Sequence, residues 1–163
     1  RDLTEEHNAF YPLIKEAFRK AGVVFVILPN LSGSRINGAT KKVGNNIMLM
    51  VNDRRLHADT FWFTLFHEIG HIMNGDYGIS FESESGEREE IANKYAEDKL
   101  IPYEQYERFL EDNIFDVQAI RAFAKEINRD PGIVRGRLLN DGKVSYDDWS
   151  LKSLRHKYIV KIV

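Results

Sequence analysis

The chain has 163 residues, 43% of them hydrophobic and 12% aromatic, with a formal net charge of -2 and a pI near 6.2. That length fills one core and hardly two, so a single domain over residues 1–163 is expected, and the near-neutral charge excludes a general attraction to nucleic acid or to an anionic membrane. Without cysteine there is no disulfide framework and no thiolate metal site, which suits a reducing cytoplasm; the longest apolar run, Ala21 to Leu28, is far too short to span a bilayer, and nothing resembles a signal peptide.

In chain order, Thr4-Glu5-Glu6 reads as a cap followed by acids at a helix start. Phe10, Leu13, Ile14, Ala17 and Phe18 recur at helical spacing, with Pro12 kinking or restarting that helix and Gly22 stopping it. Val23 to Leu28, Arg35 to Thr40 and Ile47 to Val51 are β-branched or alternating and predict three short strands. Turns are expected at Pro29 to Gly33 and at Lys41 to Asn45, and connections this short predict an antiparallel sheet. Arg35-Ile36-Asn37-Gly38-Ala39 reads equally as a sheet edge that takes up a substrate backbone and as an ordinary strand bulged at Gly38.

The next segment carries the chemistry. His67-Glu68-Ile69-Gly70-His71 lies in an apolar run from Phe61 to Met73, with Asp59 able to cap its start and Gly75 its end. Residues four apart share a helix face, so His67 and His71 can offer two imidazole nitrogens to one cation, while Glu68 reaches a water on that cation without binding it. Two histidines and a glutamate inside an apolar helix are costly without a partner, and a metal ion is the evident one. This is the pattern of a zinc hydrolase.

Two imidazoles leave a catalytic zinc one protein ligand short. After a polar stretch from Tyr77 to Gly86, expected as a surface loop, Glu87 opens a helix running to about Leu100, stopped by Ile101-Pro102. Glu89 and Glu90 are the candidates there. Glu89, Ala92, Asn93 and Ala96 share a face whose alanines permit close approach to the histidine helix, whereas Glu90 points elsewhere; Glu89 is the expected third ligand, and Asn93 can hold the other nitrogen of a liganding histidine. The acidic cluster also reads more simply as carboxylates favouring a helix N-terminus. An oxyanion donor is needed as well, with Tyr95, His57 and Tyr77 as unassigned candidates.

Ile120 to Ile127 and Pro131 to Leu139 read as helix, turn and helix, with Arg135 and Arg137 in the second. A DNA-binding module is therefore one rival function, opposed by the overall charge. Another rival is a zinc-holding sensor or docking domain without catalysis, for which an intact Glu68 has no use.

The segments FHEIGHIMNGD, EREEIANKYAEDKLIP and DPGIVRGRLLNDG, in that order, resemble the ImmA/IrrE family of zinc metallopeptidases over roughly Val23 to Gly142. The resemblance implies an α+β, zincin-like fold: a small antiparallel sheet, an H-E-x-x-H helix, a third-ligand helix and a C-terminal helical part. It implies a zinc ion on His67, His71 and a glutamate of the following helix, matched by Glu89, with Glu68 as general base. Ile91 stands where members usually carry a second glutamate, and Asn74-Gly75-Asp76 replaces a usual apolar residue and histidine; no catalytic consequence is drawn from the latter. Members are commonly encoded beside, or fused behind, a helix-turn-helix repressor of a phage, mobile element or toxin-antitoxin locus, and some cleave it. The expected function is thus intracellular cleavage of a protein partner, a DNA-binding repressor or antitoxin, with no nucleic acid bound by this chain itself and no membrane. The resemblance also places DPGIVRGRLLNDG in the scaffold, and a fused domain upstream would account for a start at Arg1 and not at methionine.

Overall fold

The computed structural model describes residues 3–29, 33–52, 57–81 and 85–158, so the middle of the first expected turn, the acids Glu82 and Glu84 and the end of the basic tail lie outside the described residues. The chain divides into two compact units, one of Asn8–Arg55 with Thr64–Ala96, the other of Arg1–His7, Leu56–Phe63 and Glu97–Val163.

The first unit holds the sheet. Helix α1 (Phe10–Lys20) begins later than Thr4 because Pro12 lacks an N–H and fits only within the first turn, where that donor has no intrahelical acceptor anyway. Strands β1 (Val23–Leu28), β2 (Ile36–Val43), β3 (Asn46–Asn52) and β4 (Ile79–Phe81) form one sheet in the order β1-β3-β2-β4. The hairpin between β2 and β3 is tighter than expected: Gly44, at φ 59, makes the turn with Asn45, and Lys41 and Lys42 stay in the strand. Both β2–β3 and β2–β4 are antiparallel, but β1 pairs parallel to β3, so the sheet is mixed and corrects the all-antiparallel expectation at that one pairing. The reason is that β2 is laid one place away from β1 and β3 returns between them, running in the direction of β1.

The polar stretch after α2 (Ala58–Met73) is not all loop, since β4 forms within it. It pairs with Ile36, Gly38 and Ala39, with a bulge between Ile36 and Gly38. The segment read as a substrate-binding edge is therefore flanked on both sides, and the outermost strand on that side of the sheet, among the described residues, is β4. Val23, Phe25, Thr40, Leu49, Val51 and Ser80 line the buried face. Rings of Tyr11 and Phe18 from α1 contact Phe25 on that face, and Glu68 of α2 lies against Gly38 there.

The second unit is helical. Helix α3 (Glu87–Leu100), whose residues as far as Ala96 belong to the first unit, has the bounds its sequence predicts, and Pro102 separates it from α4 (Tyr103–Glu111). Asp116 caps α5 (Val117–Glu126) by accepting the Ala119 N–H, and Asp130 caps α6 (Pro131–Asn140) by accepting that of Gly132, with Pro131 at the first helical position. A short 3-10 helix (Trp149–Leu154) follows. Ile120, Val134, Leu138 and Leu151 are fully buried, Phe109 stacks on Phe123 at 4.3 Å, and Trp62 donates its Nε1–H to the Tyr158 hydroxyl at 2.7 Å. Thr4, expected as a helix cap, is instead buried here and accepts the Asp130 N–H. The result is an α+β fold of zincin-like kind, as expected.

Candidate metal centre

Helix α2 is apolar around most of its surface, with Trp62 and Leu65 buried, and this drives His67, Glu68 and His71 inside with them. Helix α3 meets it through small residues: a methyl group on Gly70 would stand 3.0 Å from the Ala92 Cα, and Ala92 and Ala96 are fully buried. The face argued for Glu89, Ala92, Asn93 and Ala96 is thus the face presented to α2. Glu90 is exposed, and Ile91 is 44% exposed. The position where relatives usually carry a second glutamate points to solvent.

The donor atoms converge closely. His67 Nε2 and His71 Nε2 are 3.0 Å apart, and the two oxygens of Glu89 stand 3.2 Å from the first and 3.3 Å from the second. Each imidazole is held by its other nitrogen, His67 Nδ1–H donating to Asn93 Oδ1 at 2.9 Å and His71 Nδ1–H to Asp76 Oδ2 at 3.1 Å. With both Nδ1 atoms as donors, both Nε2 atoms carry lone pairs, aimed at each other and at a carboxylate. Such a set fits a cation at its centre. Donors on a tetrahedral ion with bonds of 2.0–2.1 Å stand roughly 3.3 Å apart, close to the spacing seen. Burial first, and the neighbouring His71 second, hold the His67 imidazole below the ordinary histidine range, which keeps it neutral as a ligand must be. Among the described residues this is the group of His, Asp and Glu whose ligand atoms lie near enough together to hold a metal ion.

Asp76 was not foreseen as part of the site. At the end of α2, Gly75 takes φ 72 and the Gly75 and Asp76 N–H groups return to the carbonyls of Ile72 and His71, a reversal that brings the Asp76 side chain back onto His71. Arg88 donates to the other Asp76 oxygen at 2.7 Å. The sequence signal was there in a glycine followed by an acid just past the helix. Gly38 is the second omission: a Cβ there would overlap the carboxylate of Glu68, so the glycine in β2 makes room for the buried glutamate of the motif. A lone glycine in a strand pattern marks such a close approach as often as a bulge, and here it marks both.

A cavity of about 400 Å³ opens beside the centre, walled by His71, Asp76 and Tyr77 to Ser80 on one side and by residues 85–89 on the other. Of the oxyanion candidates, Tyr77 is the one on its wall. Tyr95 sets its Cβ against Gly70 between the helices, where burial raises the hydroxyl pKa. His57 belongs to the helical unit and bridges to Lys157.

A mixed sheet backed by a helix pair that presents two histidines and a glutamate to one point defines the class, a zincin-like domain with a candidate metal centre. A family model described as the IrrE N-terminal-like domain, a peptidase family, matches residues 20–129, and the chain belongs to that family. The matched span includes the first two motifs of the ImmA/IrrE resemblance and stops just before the third. Membership brings a metallopeptidase-type function, and the metal it implies has a fitting set of donors in His67, His71 and Glu89. Among curated proteins none matches the chain. No helix of the described residues is long and apolar enough to cross a membrane.

Proposed function

We propose that this chain is a zinc-dependent endopeptidase acting in the cytoplasm on a protein partner, a helix-turn-helix repressor or antitoxin. The observation that carries the catalytic part is the convergence of His67, His71 and Glu89 with both imidazoles anchored from behind, beside a cavity of about 400 Å³. Zinc bound there supplies a Lewis acid that polarises the scissile carbonyl and acidifies the attacking water. Glu68 takes the proton from that water and returns it to the departing amide nitrogen, so the proton count closes within one side chain. Asn93 and Asp76 keep the histidine tautomers in which Nε2 is free to ligate. The outer edge of β4, on the cavity wall, is where an extended peptide would lie along the sheet, which would align the scissile bond. The choice of a repressor as substrate is supported by the family resemblance, and the cytoplasm by the absence of cysteine.

Glu68→Gln tests the reading. The amide keeps the shape and removes the base, so metal content measured by mass spectrometry should stay at that of the wild type while cleavage of the cognate repressor falls by about 10²–10⁴. Equal cleavage by both proteins would remove Glu68 from the mechanism. A wild type that holds zinc and cleaves nothing would support the sensor or docking role.

A further inference from the structure

The sheet has a second face, and it is largely apolar where water would favour polar side chains, with Asn46 and Asn52 at the ends of β3 and Lys41 as its polar residues. Pairing puts Val24, Leu28, Val43, Met48 and Ile79 on the face opposite to Phe25, Leu49 and Val51. All five are exposed, Val24 at 56% and Met48 at 38%, and Met50 lies half-buried among them. Helices α1 and α2 of this unit both lie on the other side, against Phe25 and Gly38. A sheet with one solvated face ordinarily alternates apolar with polar residues, and a contiguous exposed apolar patch marks an interaction surface. Lys41 is the one charged residue that pairing puts on this face among the described residues, where it stands opposite Met48.

We propose that this face binds the same face of a second copy of the chain, making a two-fold dimer by packing sheet on sheet. A surface with so little charge neither repels its own copy nor offers complementarity to a highly charged partner such as a basic repressor. Four strands about 4.8 Å apart and about 20 Å long give a flat footprint of roughly 400 Å² and a larger accessible area, at the low end of what specific interfaces bury. The expected dimer is therefore micromolar and not obligate. Aligned sheets pack about 10 Å apart, with unbranched side chains such as those of Met48 and Met50 filling the gaps between them. The donors of the metal centre lie on α2 and α3, away from this face, so each copy keeps its own ligand set, and of the five residues Ile79 alone also lines the cavity beside the centre.

Sedimentation equilibrium of the whole chain from about 1 to 100 µM should show a monomer–dimer equilibrium. Met48→Glu should weaken it at least tenfold at unchanged metal content, and Ile91→Lys, which changes an exposed apolar residue on α3, should leave it as it is. Because the chain has no cysteine, Met48→Cys carries a single spin label that reports only on its counterpart in a second copy. Paired labels should lie on the order of 10–20 Å apart, set by the sheet spacing, and this measurement decides the matter if Met48→Glu fails to fold. A chain still monomeric at the highest concentration, a dimer indifferent to Met48→Glu, or labels with no short distance would each overturn the proposal.

Discussion

Asp76 shows how much of this centre rests on single side chains outside the recognisable motif. It accepts the His71 Nδ1–H with one oxygen and the Arg88 guanidinium with the other, so the carboxylate that orients the His71 ring is itself held from its far side. Groups that orient a liganding histidine typically contribute 10–100-fold to metal affinity. Asp76→Ala should therefore lower zinc affinity by that factor, read by competition with a chromophoric chelator, while the far-ultraviolet circular dichroism stays that of the wild type. An unchanged affinity would mean that the reversal at Gly75 alone orients His71. Arg88 is exposed and makes the outer, weaker link.

At the level of elements, the site is the contact of two helices, and that contact is made by residues with almost no side chain. Gly70 allows α2 to touch the backbone of α3 at Ala92, one turn from Glu89. Gly70→Ala inserts a methyl group at 3.0 Å from the Ala92 Cα, where backbone and not a flexible side chain must yield. It should destabilise the fold by about 1–3 kcal/mol and also weaken zinc binding, because moving α3 outward carries Glu89 with it; denaturant melts and chelator competition read the two effects separately. Zinc affinity unchanged in a destabilised variant would show that α3 adjusts without moving its ligand. Helices α5 and α6 pose a different question. Arg129 and Arg135 are buried, and Arg137 reaches Glu97 and Asp141 at 2.8 Å each and lies over the Tyr106 ring. These cations are engaged in or enclosed by the helical unit, leaving Arg121 and Lys125 as the exposed basic residues of α5. Since phosphate contacts supply most non-specific affinity, no DNA binding should survive physiological salt in an anisotropy titration. A specific footprint lost in Arg121→Ala with Lys125→Ala would restore the DNA reading; replacing Arg135 and Arg137 would not serve, because their loss disturbs the packing itself.

For the molecule as a whole, metal and pH act on the same balance. A ligand that binds only the folded state stabilises it by about 2.7 kcal/mol at a hundredfold excess over its Kd, so a chelator should lower the denaturation midpoint. The metal-free protein should then become sensitive to acid. Burial and the neighbouring His71 depress the His67 pKa, and burial depresses those of His57 and His156. Between the ordinary histidine value of about 6.5 and these lower folded values, the unfolded chain binds protons that the folded chain does not, so stability falls as pH falls through that window and is untouched by these groups above it. Urea melts of chelated protein from about pH 7.5 down to 5 should show the midpoint dropping below about 6.5. A midpoint that is flat or rises over that range would contradict the sign.

What the sequence determined by itself is the part of the site whose geometry is local. The four-residue spacing of His67 and His71, and the shared face of Glu89, Ala92, Asn93 and Ala96, follow from the pitch of one helix each. The bounds of α3 and the start of α6 at Pro131 were legible for the same reason, being set by neighbours in the chain. The tertiary structure decided what depends on distant partners. That Gly38 lies under Glu68, that β4 covers the side of β2 read as an edge, and that β1 runs parallel to β3 are relations between segments tens of residues apart, and strand periodicity says which face a residue takes but not which strand lies beside it. Asp76 falls between the two cases. It lies only five positions beyond His71, yet its contact exists because Gly75 adopts a left-handed conformation and turns the chain back on its own helix.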